Sequence, residues 1–294
     1  MKIQPECVPC LLKRILFETE LSTTDKTKQT NTIRTACSLL ARLYDPQVCS
    51  ATIATKLHKA AYETLEDNDP YKTLKQQSNI TATSLLPKID SLIKDSPDPL
   101  KTSMLCAIIG NMMDFGIEGS STHPQMLQDV FDRLYAEGLG HDDSEKLKHH
   151  LKKAIHLVLF TDNCGEIIFD KLLCRELKIF NPHLCITLVV KGESILSDAT
   201  EKEAMEIKLN EIVDELLTTG CFAVGVDFTR LPSNVSKALN QADIIIAKGM
   251  ANYESFSETT YRPIAYLLRV KCSAIARSMH LPKNISAIKL YEYL

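Results

Sequence analysis

From residue 8 to about 151 the apolar positions recur at helical spacing almost throughout. Leu11, Leu12, Ile15 and Leu16 form one such face, and Ile33, Cys37, Leu40, Ala41 and Tyr44 repeat it before Pro46 ends the pattern. Leu57, Ala60, Ala61, Thr64 and Leu65 make a third face, closed by Asp67-Asn68-Asp69-Pro70. Residues 74–93 predict a further helix, kinked or interrupted near Pro87. Pro97-Asp98-Pro99 starts another through Leu105, Ala107 and Ile108, and residues 124–135 and 144–151 complete the set. No strand is expected in this half.

The texture changes at Ala154. Ile155-His156-Leu157-Val158-Leu159-Phe160 is a short continuous apolar run, followed by turn residues and a helical stretch over 166–177. Cys185-Ile186-Thr187-Leu188-Val189-Val190 is a second run, with a helix after Asp198. Phe222-Ala223-Val224-Gly225-Val226 is a weaker third and Asp243-Ile244-Ile245-Ile246-Ala247 a fourth. Residues 264–268, continuing towards Ile275, are expected to be the fifth. Short apolar runs alternating with amphipathic helices predict an α/β fold: a buried parallel sheet with helices on both faces.

A chain of 294 residues can bury one large core or two modest ones. Its net charge of −3 offers no footprint for nucleic acid or an anionic membrane, and neither partner is expected. The cluster Lys146, Lys148, Lys152 and Lys153 has the spacing of a solvated helix face, and the adjacent His149 and His150 belong to it. No apolar stretch approaches the ~20 residues of a membrane span, and the first residues lack the apolar core of a signal peptide. A cytoplasmic location is the expectation. Among ten cysteines, Cys37, Cys106, Cys174, Cys185, Cys221 and Cys272 sit in apolar runs and are expected to be buried, reduced thiols. Trp is absent, which argues against stacking-rich carbohydrate or nucleic-acid surfaces. Oligomeric state is not legible.

In an open parallel sheet ligands bind beyond the C-terminal strand ends. Thr161-Asp162-Asn163-Cys164-Gly165-Glu166 follows the first run. Lys191-Gly192-Glu193-Ser194, with Asp198 soon after, follows the second, and Lys248-Gly249-Met250-Ala251-Asn252-Tyr253-Glu254 the fourth. Acids, an amide and lysines thus collect on one edge. Asp162, Asp198 and the amide oxygen of Asn163 form an oxygen-only set that favours Mg, Mn or Ca over zinc. Such an ion polarises a phosphoryl group, with Lys191 and Lys248 neutralising its charge. Gly165 and the helix start after it offer backbone N–H groups to an anion. Each motif also has an ordinary explanation: Asp-Asn-x-Gly is a common turn, and Asp198 suits a helix N-cap. Their shared position at strand ends is what favours a site.

Five stretches, in order, resemble the metal-dependent damage-control phosphatases, formerly domain of unknown function 89. They are Pro5-Glu6-Cys7-Val8-Pro9-Cys10-Leu11-Leu12, Gly110-Asn111-Met112-Met113-Asp114-Phe115-Gly116, Asp162-Asn163-Cys164-Gly165-Glu166-Ile167-Ile168-Phe169-Asp170, Lys191-Gly192 with Asp198-Ala199-Thr200, and Ala242-Asp243 with Lys248-Gly249-Met250-Ala251-Asn252-Tyr253-Glu254. The resemblance covers nearly the whole chain and is closest to the prokaryotic-type subgroup, whose members begin with Cys-x-x-Cys. It implies an all-helical domain over 1–151 packed on a Rossmann-like, three-layer α/β domain over 152–294. It also implies a divalent ion on Asp162, Asn163 and Asp198, a phosphate contact from Lys248, and Asn111 and Asp114 entering the cleft from the helical half. Ser197 stands where the family often has Asn.

The implied activity is hydrolysis of phosphomonoesters of small metabolites, sugar phosphates or damaged phosphometabolites, with Mg, Mn, Co or Ni as cofactor. Attack is by water or by one aspartate, and Glu166, Glu254 and Asp114 are candidates to orient the water or leaving group. Two other classes stand beside it. An S-adenosylmethionine-dependent methyltransferase would use the same fold, but the loop after the first strand is acidic rather than Gly-x-Gly. A non-catalytic metal- or redox-binding protein would use Cys7 and Cys10, half of a tetrahedral site with no second half in the sequence.

Overall fold

A computed structural model describes residues 1–111 and 125–292, with the backbone alone described for 125–129. Six helices open the chain: α1 (Cys7–Ser22), α2 (Lys26–Leu43), α3 (Ser50–Leu65), α4 (Lys72–Lys94), α5 (Pro99–Gly110) and α6 (Gln125–Glu137). Asp25 caps α2 through its side chain, accepting from the backbone N–H groups of Thr27 and Lys28. Asp98 and Pro99 start α5 as their types favour. Helix α4 runs through Pro87, although the ring removes the N–H that would reach back one turn.

A seven-stranded sheet follows in the order β1-β7-β6-β5-β2-β3-β4. Its strands are β1 (Leu139–Asp142), β2 (His156–Phe160), β3 (Cys185–Val190), β4 (Glu215–Thr218), β5 (Ile244–Lys248), β6 (Ile264–Arg269) and β7 (Ser286–Tyr291). Neighbouring strands from β6 to β4 pair in parallel; β7 lies antiparallel to β6, and β1 parallel to β7. Helices α7 (Ser144–Lys153), α8 (Glu166–Phe180), α9 (Glu201–Glu206), α10 (Ser233–Gln241), α11 (Gly249–Phe256) and α12 (Ser273–Met279) lie between strands.

Side-chain alternation divides the sheet into two faces. Leu157, Leu159, Ile186, Leu188, Ile244 and Ile246 pack with α4, α5 and α8. Val158, Phe160, Val189, Ile245 and Ala247 pack with α10, α11 and α12. The continuous apolar runs are therefore strands buried on both faces, as expected for a parallel sheet. The first of these cores draws on α4 and α5 from the N-terminal half and on β2 and α8 from the C-terminal half, so it crosses residue 151. No helix among the described residues is long and apolar enough to cross a membrane.

Four expectations need correction. Strand β1 lies inside the stretch expected to be helical, and at four residues on the sheet edge it is too short to leave a periodic signal. The third strand is Glu215–Thr218 rather than the run at 222–226. That run is buried without a ladder, since its N–H groups find side chains instead: Phe222 N–H donates to Glu193, Val224 N–H to Thr55 and Val226 N–H to Ser255. Strand β7, paired on both sides, went unread because its burial does not alternate: Ser286, Ala287 and Ile288 are buried and the next three residues half-buried. Finally, of the cysteines expected to be buried, Cys37 is exposed on α2 and Cys185 and Cys272 are half-buried.

Phe169 is fully buried in α8, edge-on to Phe131 of α6 at 6.3 Å, and it fills the space where a Cβ at Gly110 would lie. Phe169→Ala is expected to cost about 3–5 kcal/mol. Urea unfolding with an unchanged m-value checks this; a loss under about 1 kcal/mol would show that α5 and α8 do not depend on this contact.

Candidate functional site

The parallel strands bring their C-terminal ends to one edge, and the loops there make a second layer of contacts. Asn163 and Asp198 form an isolated antiparallel bridge, and Lys191 pairs with Thr200. Ala199 N–H donates to Asp162 O at 2.8 Å, and Cys164 N–H to Ser197 O at 2.8 Å. The segments after β2 and β3 are thereby zipped together, which sets Asp162, Asn163 and Asp198 side by side. All three are buried and line one cavity of about 130 Å³.

Cys164 and Gly165 do form a turn, but the N-cap explanation of Asp198 fails. Thr200, not Asp198, caps α9, in a reciprocal capping box with Glu203. The Asp162 side chain accepts from two side-chain amides, Asn111 Nδ2 at 2.7 Å and Asn163 Nδ2 at 2.8 Å. Gly249 stands against this carboxylate with φ +76°, and a Cβ there would lie 1.8 Å from Asp162 Oδ2. Only glycine meets both demands. Ser197 donates to Asn163 Oδ1 at 2.7 Å and so fixes the amide whose oxygen belongs to the candidate set.

Behind this edge lies a sealed ionic cluster. Glu166 opens α8 fully buried; its Oε2 accepts from Asn111 Nδ2 at 2.8 Å and Asn163 Nδ2 at 3.2 Å. Its Oε1 accepts from Lys248 Nζ at 2.6 Å. Lys248, fully buried at the end of β5, also donates to Asp170 Oδ1 at 2.5 Å and Ala107 O at 3.3 Å. Burial alone would lower the Lys248 pKa, but the Asp170 and Glu166 carboxylates hold it above the ordinary lysine value. Burial pushes the Asp170 carboxyl up to about 7, against the pull of Lys248. Asp170 sits one turn beyond Glu166, the i, i+4 spacing by which α8 presents two carboxylates to one ammonium.

The other predicted residues take different places. Lys191 Nζ lies 3.2 Å from Asp198 Oδ2 and donates to Gly225 O at 2.5 Å, so its charge backs the aspartate from outside the cavity. Gly165 caps α8 with φ +79°, but Asn79 Oδ1 of α4 takes its N–H at 2.6 Å. Glu254 lines the cavity; Ser50 Oγ donates to it at 2.5 Å, while burial raises its pKa above the usual carboxylate range. Asp114 lies outside the described residues. Asn111 ends α5, and the buried Lys271 donates to its carbonyl oxygen.

The cavity's opposite wall belongs to α1 and α3, through Cys7, Cys10, Leu11, Arg14, Ser50, Ala54 and His58. Cys7 and Cys10 therefore face the candidate site, together with Cys272 after β6. All ten cysteines are thiols, and burial pushes Cys7 up to about 11, which keeps it protonated near neutrality. Among the described residues no three His, Cys, Asp or Glu side chains converge into a metal cage. The candidate set is two carboxylates and one amide, a donor set suited to a hard divalent ion that keeps positions for water and substrate.

Three contributors lay beyond the strand-end rule. Asn79 and Lys75, whose Nζ lies 3.3 Å from Ser194 Oγ, reach the loops from α4. Tyr62 of α3 accepts the N–H of Leu196 at 3.0 Å, and Leu196 holds a left-handed φ of +50° two residues before Asp198. Lys271, by contrast, follows β6 and obeys that rule.

The sequence profile of the damage-control phosphatase ARMT1-like domain matches residues 3–284. A damage-control phosphatase of Archaeoglobus fulgidus is 39% identical over 294 residues, covering 99% of this chain and all of that one. A damage-control phosphatase of Pyrococcus horikoshii is 30% identical, covering 97% and 96%. In structure, a domain of unknown function 89 family protein from Pyrococcus horikoshii superposes with a TM-score of 0.88 at 28% identity, over 99% of each chain.

Tyr62→Phe leaves the Leu196 N–H without its buried acceptor and is expected to cost about 1–3 kcal/mol in urea unfolding. An unchanged midpoint would show that the Asp198 loop does not depend on α3.

Proposed function

We propose a metal-dependent mechanism for this chain, which belongs to the damage-control phosphatase ARMT1-like family and is a phosphatase. The observation that carries it is the meeting of Asp162, Asn163 and Asp198 in one buried cavity, with Gly249 yielding the space beside Asp162. These three residues would hold Mg, Mn, Co or Ni. When bound, the ion would supply Lewis-acid polarisation of phosphoryl oxygens.

The chain's own residues do the rest. Asn111 and Asn163 donate to Asp162 and hold its carboxylate in one orientation. Lys191 offsets the charge of Asp198 from behind. Lys248 fixes Glu166, which in turn holds both asparagine amides. Lys248 is fully buried and does not line the cavity, so it acts on the site through Glu166. Glu254, lining the cavity with its pKa raised by burial, is placed to accept a proton from an attacking water.

The substrate is a small phosphorylated metabolite. A cavity of about 130 Å³ lies below the ~300–1,000 Å³ usual for drug-sized ligands, which favours compact phosphomonoesters such as sugar phosphates.

Metal-stripped protein is expected not to hydrolyse p-nitrophenyl phosphate, and added Mg, Mn, Co or Ni to restore the reaction. Asp162→Ala should abolish it, and Gly249→Ala should weaken Mn binding by about tenfold or more by displacing the Asp162 carboxylate. Full activity without metal, or unchanged activity in Asp162→Ala, would refute the mechanism.

A further inference from the structure

The helical wall carries an ionisable pair that this mechanism does not use. His58 of α3 and Glu18 of α1 are both buried, with His58 Nδ1 2.5 Å from Glu18 Oε1. The pair has its own sequence logic. Ser50, Ala54 and His58 are spaced four apart on α3, so they share one face, and all three line the cavity with Asp162, Asn163 and Asp198. On α1, Glu18 lies one turn beyond Arg14, which also lines that wall. Glu18 therefore sits just behind the cavity and His58 at its surface. Glu18 Oε1 thus faces Nδ1 at ion-pair distance.

A buried carboxylate–imidazole pair costs desolvation energy that a pair of apolar residues would avoid. A mere tie between α1 and α3 has no need of it, because Ile15, Ile53, Leu57 and Ala61 already pack these helices together. A carboxylate on one ring nitrogen fixes the tautomer and orientation of the other, the arrangement that general acid–base chemistry needs.

We infer that His58 is the general acid for the leaving group, with Glu18 its positioning residue. The inference rests on the phosphatase mechanism above. As the P–O ester bond breaks, its electron pair stays on the leaving oxygen. The proton on His58 Nε2 passes to that oxygen, giving the free alcohol, and the phosphoryl group passes to water. Glu254 takes one proton of the attacking water, so hydrogen phosphate forms; Glu254 then gives that proton to solvent, and the neutral imidazole takes one up before the next turnover. Glu18 exchanges no proton and only positions the ring.

The test compares two esters on the metal-loaded enzyme. p-Nitrophenolate leaves readily without a proton, whereas the alkoxide of an alkyl phosphate such as glycerol phosphate does not. His58→Gln should lower kcat on the alkyl ester about 100-fold or more while changing kcat on p-nitrophenyl phosphate less than about threefold. Glu18→Gln should move both values in the same directions by smaller factors. A readout independent of turnover is the ¹⁵N spectrum of histidine-labelled protein: Mg with inorganic phosphate should shift the Nε2 resonance of His58. Equal losses on both esters, no loss on either, or an Nε2 resonance that phosphate leaves in place would overturn the assignment. Wild-type protein that cleaves neither ester would instead refute the mechanism on which it rests.

Discussion

The buried carboxylate of Glu166 is the interaction on which the site depends. One oxygen holds Lys248 at the end of β5, and the other holds Asn111 from α5 and Asn163 from the loop after β2. Three separate parts of the chain are thus referenced to a single fully buried group. A buried carboxylate this deep is tolerable only when it is paired and its hydrogen bonds are met. Any displacement of α5, α8 or β5 would leave one of these charges or amides unsatisfied, so the cluster favours a single arrangement of the sheet edge. Asp162 inherits that order through the same two amides.

The cavity is a joint product of both halves of the chain. The sheet edge supplies the oxygen donors, and α1 and α3 supply the facing wall. Tyr62, Lys75 and Asn79 bind the strand-end loops directly, so the helices fix those loops as well as cover them. Leu196, in a left-handed conformation unusual for its type, is held by that contact and by packing among Tyr62, Tyr71 and Phe222.

Much of this was legible in the sequence, for a physical reason. Strands buried on both faces leave unbroken apolar runs, so β2, β3, β5 and β6 declare themselves, and the rule that ligands sit at their C-terminal ends leads to Asp162, Asn163, Asp198 and Lys248. The short edge strand β1 and the non-alternating β7 leave weak patterns. The run at 222–226 misleads because burial without pairing has the same composition as a strand. The roles within the site were harder to read than its members. Glu166 and Lys248 look like cleft residues by position, yet each is the other's buried partner. Tyr62 and His58 reach the site from helices whose periodicity reports only that one face is covered, not by what.

The central claim is that a divalent ion sits among Asp162, Asn163 and Asp198. Anomalous diffraction at the manganese edge from crystals of the full chain soaked in Mn tests it most directly. The account predicts one strong peak bounded by the two carboxylates and the Asn163 amide oxygen. No peak there, or a peak instead among the sulfurs of Cys7, Cys10 and Cys272, would contradict it.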